Sequence, residues 1–150
     1  MKIYNSLTRK KEEFVPLEDK NVKMYACGIT VSADAHIGHA VQAIIFDIIR
    51  KYLEKRGYNV TYARNYTDVD DKIILSANKL GVDPIEFAKQ NIVKVEKLMA
   101  ELKVTPPTMN LKATENIDNI IEFISKLIEK GYAYVAPEGD VYFSVEKDKS

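Results

Sequence analysis

Apolar and polar residues alternate along the chain with two different periods, which together predict a mixed α/β fold. Two short runs rich in β-forming side chains, residues 22–27 and 58–63, predict strands. Between them, apolar residues spaced three and four apart predict a long helix over residues 37–56. The strand–helix–strand order is typical of a βαβ unit with two parallel strands. In such a sheet, ligands bind beyond the carboxyl ends of the strands.

The long helix is expected to bury one face, and its polar residues, Asp47 among them, are expected on the other. The buried face is predicted to comprise Val41, Ile44, Ile45, Ile48, Ile49, Tyr52 and Leu53.

Three further helices and a β-hairpin are predicted after the second strand. The first helix covers residues 73–80, the second begins near Pro84 and the third covers residues 114–130. A PEGD turn then separates β-forming runs at 132–136 and 141–145, which predicts the hairpin. The last helix is expected to bury Ile117, Ile120, Ile121, Ile124, Leu127 and Ile128. These elements do not make a symmetric doubly wound sheet, so we expect the front half of something larger.

Composition excludes several classes of protein. The 150 residues carry 22 basic and 22 acidic side chains, so there is no global basic field for nucleic acid, and a local basic face stays open. No apolar run approaches the ~20 residues of a membrane span, and the N-terminus lacks the apolar core of a secretory signal. The single cysteine cannot form an internal disulfide, which favours a reducing cytoplasmic setting. Residues 1–21 predict a solvated arm, with closure over a site as the alternative.

The segment of residues 24–40, MYACGITVSADAHIGHA, is the strongest candidate for chemistry. His36 and His39 lie at the predicted helix start, where unpaired backbone N–H groups and the helix dipole favour phosphate. Gly38 leaves room for a flat ring or a ribose to lie against the backbone. The alternative is that the two histidines only cap the helix or pack.

Cys27 and an acidic loop are the other candidates. A lone cysteine is most often a small core residue. If Cys27 binds a metal, histidines, carboxylates or residues outside the chain must complete the ligand set. The loop NYTDVDDK, residues 65–72, has three aspartates in four residues. Helix capping explains one or two of them, which leaves a functional role open.

Several motifs, in order, resemble the cysteinyl-tRNA synthetases, a family of class I aminoacyl-tRNA synthetases. They are IYNSLTRKKEEFVPL, MYACGITV, HIGH and FDIIRKYLEKRGYNVTYARNYTDVDDKI, with weaker likeness at KATENI, KLIEKGYAY and GDVYF. The resemblance implies the N-terminal half of a Rossmann-type (HUP-like) α/β catalytic domain, with a helical segment and a β-hairpin. Residues 114–150 are expected to begin the connective insertion. The implied activity is ATP-dependent activation of L-cysteine to cysteinyl-adenylate and its transfer to tRNA(Cys).

The resemblance also assigns roles to single residues. Cys27 matches a zinc ligand, and zinc in this family binds the substrate thiolate, which it distinguishes from the hydroxyl of serine. His36 and His39 match the catalytic pair that contacts ATP and stabilises its α-phosphate. Gly38 matches the adenine platform, and Thr30 is a further ATP-binding candidate.

The substrate cysteine is expected at Gly28, Thr67 and Asp68. Thr67 matches the residue that contacts the amino acid, and Asp68 is assigned to its ammonium group or to the loop itself. Two positions depart from the family pattern. Residues 40–42 are AVQ where an Arg is common, and Ser32 stands where a Tyr is frequent.

The remaining zinc ligands, the KMSKS loop and the anticodon-binding domain of this family lie beyond residue 150. We therefore expect a fragment of a monomeric enzyme that alone activates cysteine weakly or not at all and does not hold zinc tightly. The nearest alternative is a ligase of mycothiol biosynthesis that uses the same adenylate chemistry, and a non-catalytic synthetase paralogue is another. The strings LTRKKEEF and DVDDKI favour the tRNA enzyme.

Overall fold

A computed structural model describes residues 1–148 and divides the chain into two compact units, Met1–Leu111 and Lys112–Ser150. The elements up to the junction are β1 (Lys2–Asn5), β2 (Lys10–Glu13), β3 (Asn21–Thr30), α1 (Ile37–Lys55), β4 (Asn59–Thr67), α2 (Asp71–Leu80), α3 (Pro84–Glu101) and β5 (Met109–Lys112). Those that follow are a 3₁₀ turn (Thr114–Asn116), α4 (Ile117–Glu129), β6 (Ala133–Val135), β7 (Val141–Phe143) and a second 3₁₀ turn (Val145–Lys147).

The central sheet has the strand order β3-β4-β5, and β3 and β4 run parallel. This confirms the predicted βαβ unit, with α1 as its crossover. The two strands are longer than predicted, because pairing continues from Asn21–Asn59 to Thr30–Thr67. Gly28 and Thr30 therefore lie within β3, beyond the predicted strand end at residue 27, and Thr67 ends β4, so its predicted place in the loop 65–72 was wrong.

The core of the first unit lies where the helices pack onto the sheet. Its members come from β3 and the residue after it, from β4 and from helices α1 to α3, and are Ile29, Val31, Ala43, Tyr66, Ile73, Ala88, Ile92, Val95 and Met99. This layer fixes the strand ends relative to the helix starts, which is what positions the candidate site.

Helix α1 has the predicted length but a different buried face. Its buried residues are Ala40, Ala43, Asp47 and Leu53. The prediction was wrong for four of the apolar positions, which are 42–60% exposed: Val41, Ile45, Ile48 and Tyr52. Alanine side chains allow a helix to approach closely, and the face with Ala40 and Ala43 is therefore buried although it is less apolar.

The N-terminal segment is largely exposed, as predicted for a solvated arm, but it contains a β-hairpin that was not predicted. Strands β1 and β2 pair antiparallel, with Lys2 opposite Glu13. The chain end is fixed there, since the Met1 ammonium lies 2.8 Å from Glu13 Oε1 and the amide of Phe14 donates to the carbonyl of Met1.

The second unit contains the predicted helix and confirms the predicted hairpin, in which β6 and β7 pair antiparallel. The helix begins with a 3₁₀ turn. Ile117, Ile120 and Ile121 are exposed in α4, so their predicted burial was wrong. Two strands of three residues offer too little surface to cover this face. Residues 149 and 150 of the predicted insertion lie outside the described residues, and its start near residue 114 stays a prediction.

No helix among residues 1–148 combines the length and apolar character needed to cross a bilayer.

Candidate functional site

The two histidines of the HIGH sequence form a reciprocal cap at the start of α1. His36 is the N-cap residue, and its Nδ1 accepts a hydrogen bond from the amide of Gly38 at 3.0 Å. His39 Nδ1 accepts from the amide of His36 at 3.3 Å. The two rings stack with their centroids 3.9 Å apart. The structure thus brings the predicted pair together, and it also shows the capping role that was the alternative.

This cap determines which ring nitrogen remains available. A nitrogen that accepts a hydrogen bond is unprotonated, so each neutral ring carries its proton on Nε2. Burial lowers the pKa of His39 below its ordinary value, and the neighbouring His36 and Arg64 act in the same direction. The Nε2–H groups of the two rings therefore stand at the positive end of a helix, an arrangement suited to an anionic oxygen.

Gly38 is required by the cap itself. A Cβ at this position would lie 2.8 Å from Cε1 and 3.0 Å from Nδ1 of His36. Any side chain there would displace the ring that caps the helix. This reason is independent of the adenine platform predicted for Gly38.

A β-bulge in β3 presents Cys27 at the surface. The register with β4 shifts between Ala26 and Ile29, and the Cys27 thiol is free and exposed. Gly28 approaches β4 so closely that a Cβ would lie 1.4 Å from the carbonyl oxygen of Asn65. Its amide donates to Asn65 Oδ1 at 2.7 Å. The bulge exists because residue 28 has no side chain.

Asn65 is a positioning residue that the sequence interpretation missed. Besides Gly28, its Oδ1 accepts a hydrogen bond from the hydroxyl of Tyr25 at 2.8 Å. Its Nδ2 lies 3.5 Å from Thr67 Oγ1. The only available signal was its place shortly after the second predicted strand, at the start of the acidic loop.

The residues predicted to bind the substrate amino acid lie at the carboxyl edge of the sheet, with Thr30 beside them. Thr30 and Thr67 are directly paired across the two strands, and the amide of Val31 donates to the carbonyl of Thr67. Asp68 follows immediately; it is only 7% exposed and has an interaction partner within the chain. Both strands therefore end at the same edge, as the βαβ topology requires.

The remaining acidic residues of the loop have structural roles. Asp70 is the N-cap of α2 and accepts from the amide of Lys72 at 2.8 Å, while Asp71 is in the first turn. Capping and dipole effects account for these two, as expected.

The described residues do not fit a zinc site by themselves. Among residues 1–148, no group of three or more His, Cys, Asp or Glu side chains could hold a metal ion. His36 and His39 use Nδ1 for the cap. Cys27 therefore stands as a single exposed sulfur donor.

The fold and motifs agree with a comparison against known families. The sequence model described as the tRNA synthetases class I (C) catalytic domain matches residues 13–150. The chain belongs to this family. The matched residues of this class I synthetase chain include both histidines of HIGH and the bulge at Cys27, so these features belong to the catalytic domain.

Relatives with assigned names support the same family. The synthetase chain is 54% identical over 147 residues to the cysteine–tRNA ligase of Dehalococcoides mccartyi, covering 98% of this chain and 32% of the relative. It is 52% identical over 149 residues to the cysteine–tRNA ligase of Thermococcus kodakarensis, covering 99% of this chain and 31% of the relative. The chain thus spans about a third of the length of these relatives.

Solved structures show the same fold at low sequence identity. Methionyl-tRNA synthetase of Mycobacterium tuberculosis, in complex with methionyl-adenylate, superposes with a TM-score of 0.72 at 18% identity, covering 77% of this chain and 23% of that one. Leucyl-tRNA synthetase of Agrobacterium radiobacter, in a ternary complex with tRNA, superposes with a TM-score of 0.64 at 21% identity, covering 75% of this chain and 15% of that one. The Rossmann-type α/β fold of class I synthetases is therefore confirmed.

Proposed function

We propose that this chain provides the ATP-binding part of a cysteine–tRNA ligase, which activates L-cysteine with ATP and transfers it to tRNA(Cys). The 52–54% identity to enzymes of that name supports the choice of amino acid and tRNA. It also favours this function over mycothiol biosynthesis. The proposal places a monomeric enzyme in a reducing cytoplasm, where the single cysteine stays a thiol.

The reciprocal histidine cap is the observation that carries the ATP role. Both Nδ1 atoms accept backbone hydrogen bonds, so both Nε2–H groups are left to donate. We assign these donors to the phosphate that is attacked by the cysteine carboxylate. Charge develops on its oxygens in the transition state, and fixed donors stabilise that charge without reorganisation. Gly38 and Thr30 complete the proposed ATP contacts.

The amino-acid side of the proposal uses the carboxyl edge of the sheet. Thr67 and the backbone of Gly28 are proposed to hold the substrate cysteine, with Asp68 facing its ammonium group or supporting the loop. Cys27 is proposed as one zinc ligand, which leaves the other ligands outside the described residues. We derive no chemical step through zinc, because residues 1–148 do not form a site for it.

The ATP role is tested by substitutions that separate capping from phosphate binding. Asn is a good N-cap residue but lacks the ring, so His36→Asn keeps the cap and removes the Nε2–H donor. A hydrogen bond to a charged group contributes ~1.5–3 kcal/mol, so ATP affinity should fall about tenfold or more. Isothermal titration of ATP into the unmodified chain, His36→Asn and His39→Ala measures this.

A matched control removes a cap that lies outside the proposed site. Asp83 caps α3 by accepting from the amide of Glu86 at 2.9 Å. Asp83→Ala should lower stability by about 1 kcal/mol and leave ATP affinity unchanged. Equal ATP binding by His36→Asn, His39→Ala and the unmodified chain would contradict the proposed role of the histidines.

Activity of the complete gene product tests the wider proposal. Cysteine-dependent ATP–pyrophosphate exchange and charging of tRNA(Cys) are expected, and both should fall in the His39→Ala variant. The 150-residue chain alone should show weak or no exchange. ATP binding without any exchange by the complete gene product would instead indicate a non-catalytic paralogue.

A further inference from the structure

A cavity of about 380 Å³ opens between α1, β4 and α3, and its lining includes none of the residues predicted to bind ATP, cysteine or zinc. It is lined by Ala43, Tyr62, Arg64, Tyr66, Glu96, Met99, Ala100, Val104, Thr105, Pro106, Pro107 and Asn110. Most of these side chains are apolar, and the volume falls within the range of small-molecule sites.

The wall formed after α3 is fastened by hydrogen bonds, so the cavity has a defined shape. Arg50 Nη1 donates to the carbonyl of Pro106 at 2.7 Å. The amide of Thr105 donates to Asp47 Oδ1 at 3.3 Å, which joins the same segment to α1. These contacts hold residues 105–106 over the space between the helices.

Thr108 fastens the same segment to the sheet. Its Oγ1 accepts a hydrogen bond from the backbone amide of Tyr62 on β4 at 3.1 Å. The segment is therefore fixed to both the helix and the strand that border the cavity.

Arg64 is the one cationic side chain in the lining, and its hydrogen bonds are incompletely satisfied. It is only 7% exposed. One terminal nitrogen donates to Gln42 Oε1 at 3.4 Å, while the buried Nε has no hydrogen-bond partner. None of the ion pairs found within residues 1–148 includes Arg64. A buried guanidinium without a paired anion is costly, so this cavity favours an anionic occupant.

We propose that the cavity binds a small organic carboxylate with a compact apolar body, and that Arg64 pairs with the carboxylate. The planar guanidinium matches a carboxylate in geometry and charge. Apolar walls favour a body such as an aromatic ring. Glu96 in the lining disfavours a more highly charged anion by like-charge repulsion.

Benzoate and benzyl alcohol, which have similar shape but different charge, are the probes. In a ¹⁵N-labelled sample of the 150-residue chain, the Nε–H signal of Arg64 is assigned by its loss in Arg64→Lys. Benzoate should shift this signal saturably, and benzyl alcohol should bind at least about tenfold more weakly, equivalent to ~1.4 kcal/mol. Equal binding of the two probes, or no saturable shift with benzoate, overturns the proposal.

Three variants locate the binding. Arg64→Lys should weaken benzoate binding about tenfold, because an ammonium cannot pair with both carboxylate oxygens. Ala100→Leu adds bulk at an exposed position of the lining, so it tests the cavity without altering the buried cation. Arg56→Lys, at the exposed end of α1, is the matched control and should bind normally.

The outcomes of the variants are distinct. Loss of benzoate affinity in Arg64→Lys and Ala100→Leu, with Arg56→Lys unchanged, supports the proposal. Unchanged affinity in Ala100→Leu places the ligand elsewhere and overturns it, even if Arg64→Lys has lost its fold.

Discussion

The rings of His36 and His39 stack with their centroids 3.9 Å apart at the start of α1, and Nδ1 of each ring accepts a backbone hydrogen bond there. From the sequence, a structural cap and a phosphate-binding pair were alternatives for these histidines. Here the cap uses Nδ1 of both rings, and the proposed catalysis uses Nε2. One role sets the tautomer that the other requires.

The pKa of His39 is expected to lie below the ordinary value of 6.5, chiefly because the ring is partly buried. Since the folded state prefers the neutral ring, the free energy of unfolding should fall as pH drops from 6.5 toward the lowered pKa. An NMR titration of ¹³C-labelled imidazole measures the value, and His39→Asn assigns the signal. A midpoint at or above 6.5 would contradict the expected environment of the ring.

Gly38→Ala should separate stability from ligand binding. The added Cβ displaces the His36 ring, which costs about 1 kcal/mol of capping, while alanine regains about as much helix propensity. The net change in stability should therefore stay within about 1 kcal/mol. ATP affinity, in contrast, should fall at least several-fold because the ring has moved. Thermal unfolding and ATP titration of the same sample measure both effects, and a large loss of stability with normal ATP affinity would refute this account.

Gly28→Ala should be severely destabilising. Its Cβ would lie 1.4 Å from the Asn65 carbonyl oxygen, so β3 and β4 must separate locally. The free energy of unfolding, measured with urea, should fall by more than about 3 kcal/mol.

Asn65→Ala provides the graded comparison for the same bulge. It removes the acceptor for the Gly28 amide and the Tyr25 hydroxyl, without a steric clash. A cost of about 1–3 kcal/mol is expected. If Gly28→Ala is no more harmful than Asn65→Ala, the close strand approach at the bulge is wrong.

Asp47→Ala should destabilise the chain more than Glu54→Ala, although each residue forms an i,i+4 ion pair on α1. Asp47 is 6% exposed and also accepts from the amide of Thr105, whereas Glu54 is exposed. The free energy of unfolding should fall by about 1–3 kcal/mol in Asp47→Ala and by less than about 1 kcal/mol in Glu54→Ala. Urea unfolding of the two variants compares them, and equal losses would show that the Thr105 contact contributes nothing.

The sequence by itself determined the βαβ order, the four helices and the C-terminal hairpin. Apolar spacing located α1. Helix α2 begins after Asp70, whose side chain caps it, and ends at Gly81, which has the left-handed conformation of a C-cap. The motifs determined the family, because several strings in fixed order are far more specific than any one of them. HIGH at the start of α1 followed from the same pattern.

Only the tertiary structure decided which faces are buried and where the strands end. Periodicity reports which helix face is apolar, but packing selects the face that allows close approach, so Ala43 and Asp47 are buried while Ile48 is exposed. Pairing with β4 extends β3 past Cys27, and the glycine beside it creates the bulge that exposes the thiol. Contacts between residues distant in sequence produced these features, and no local pattern encodes such contacts.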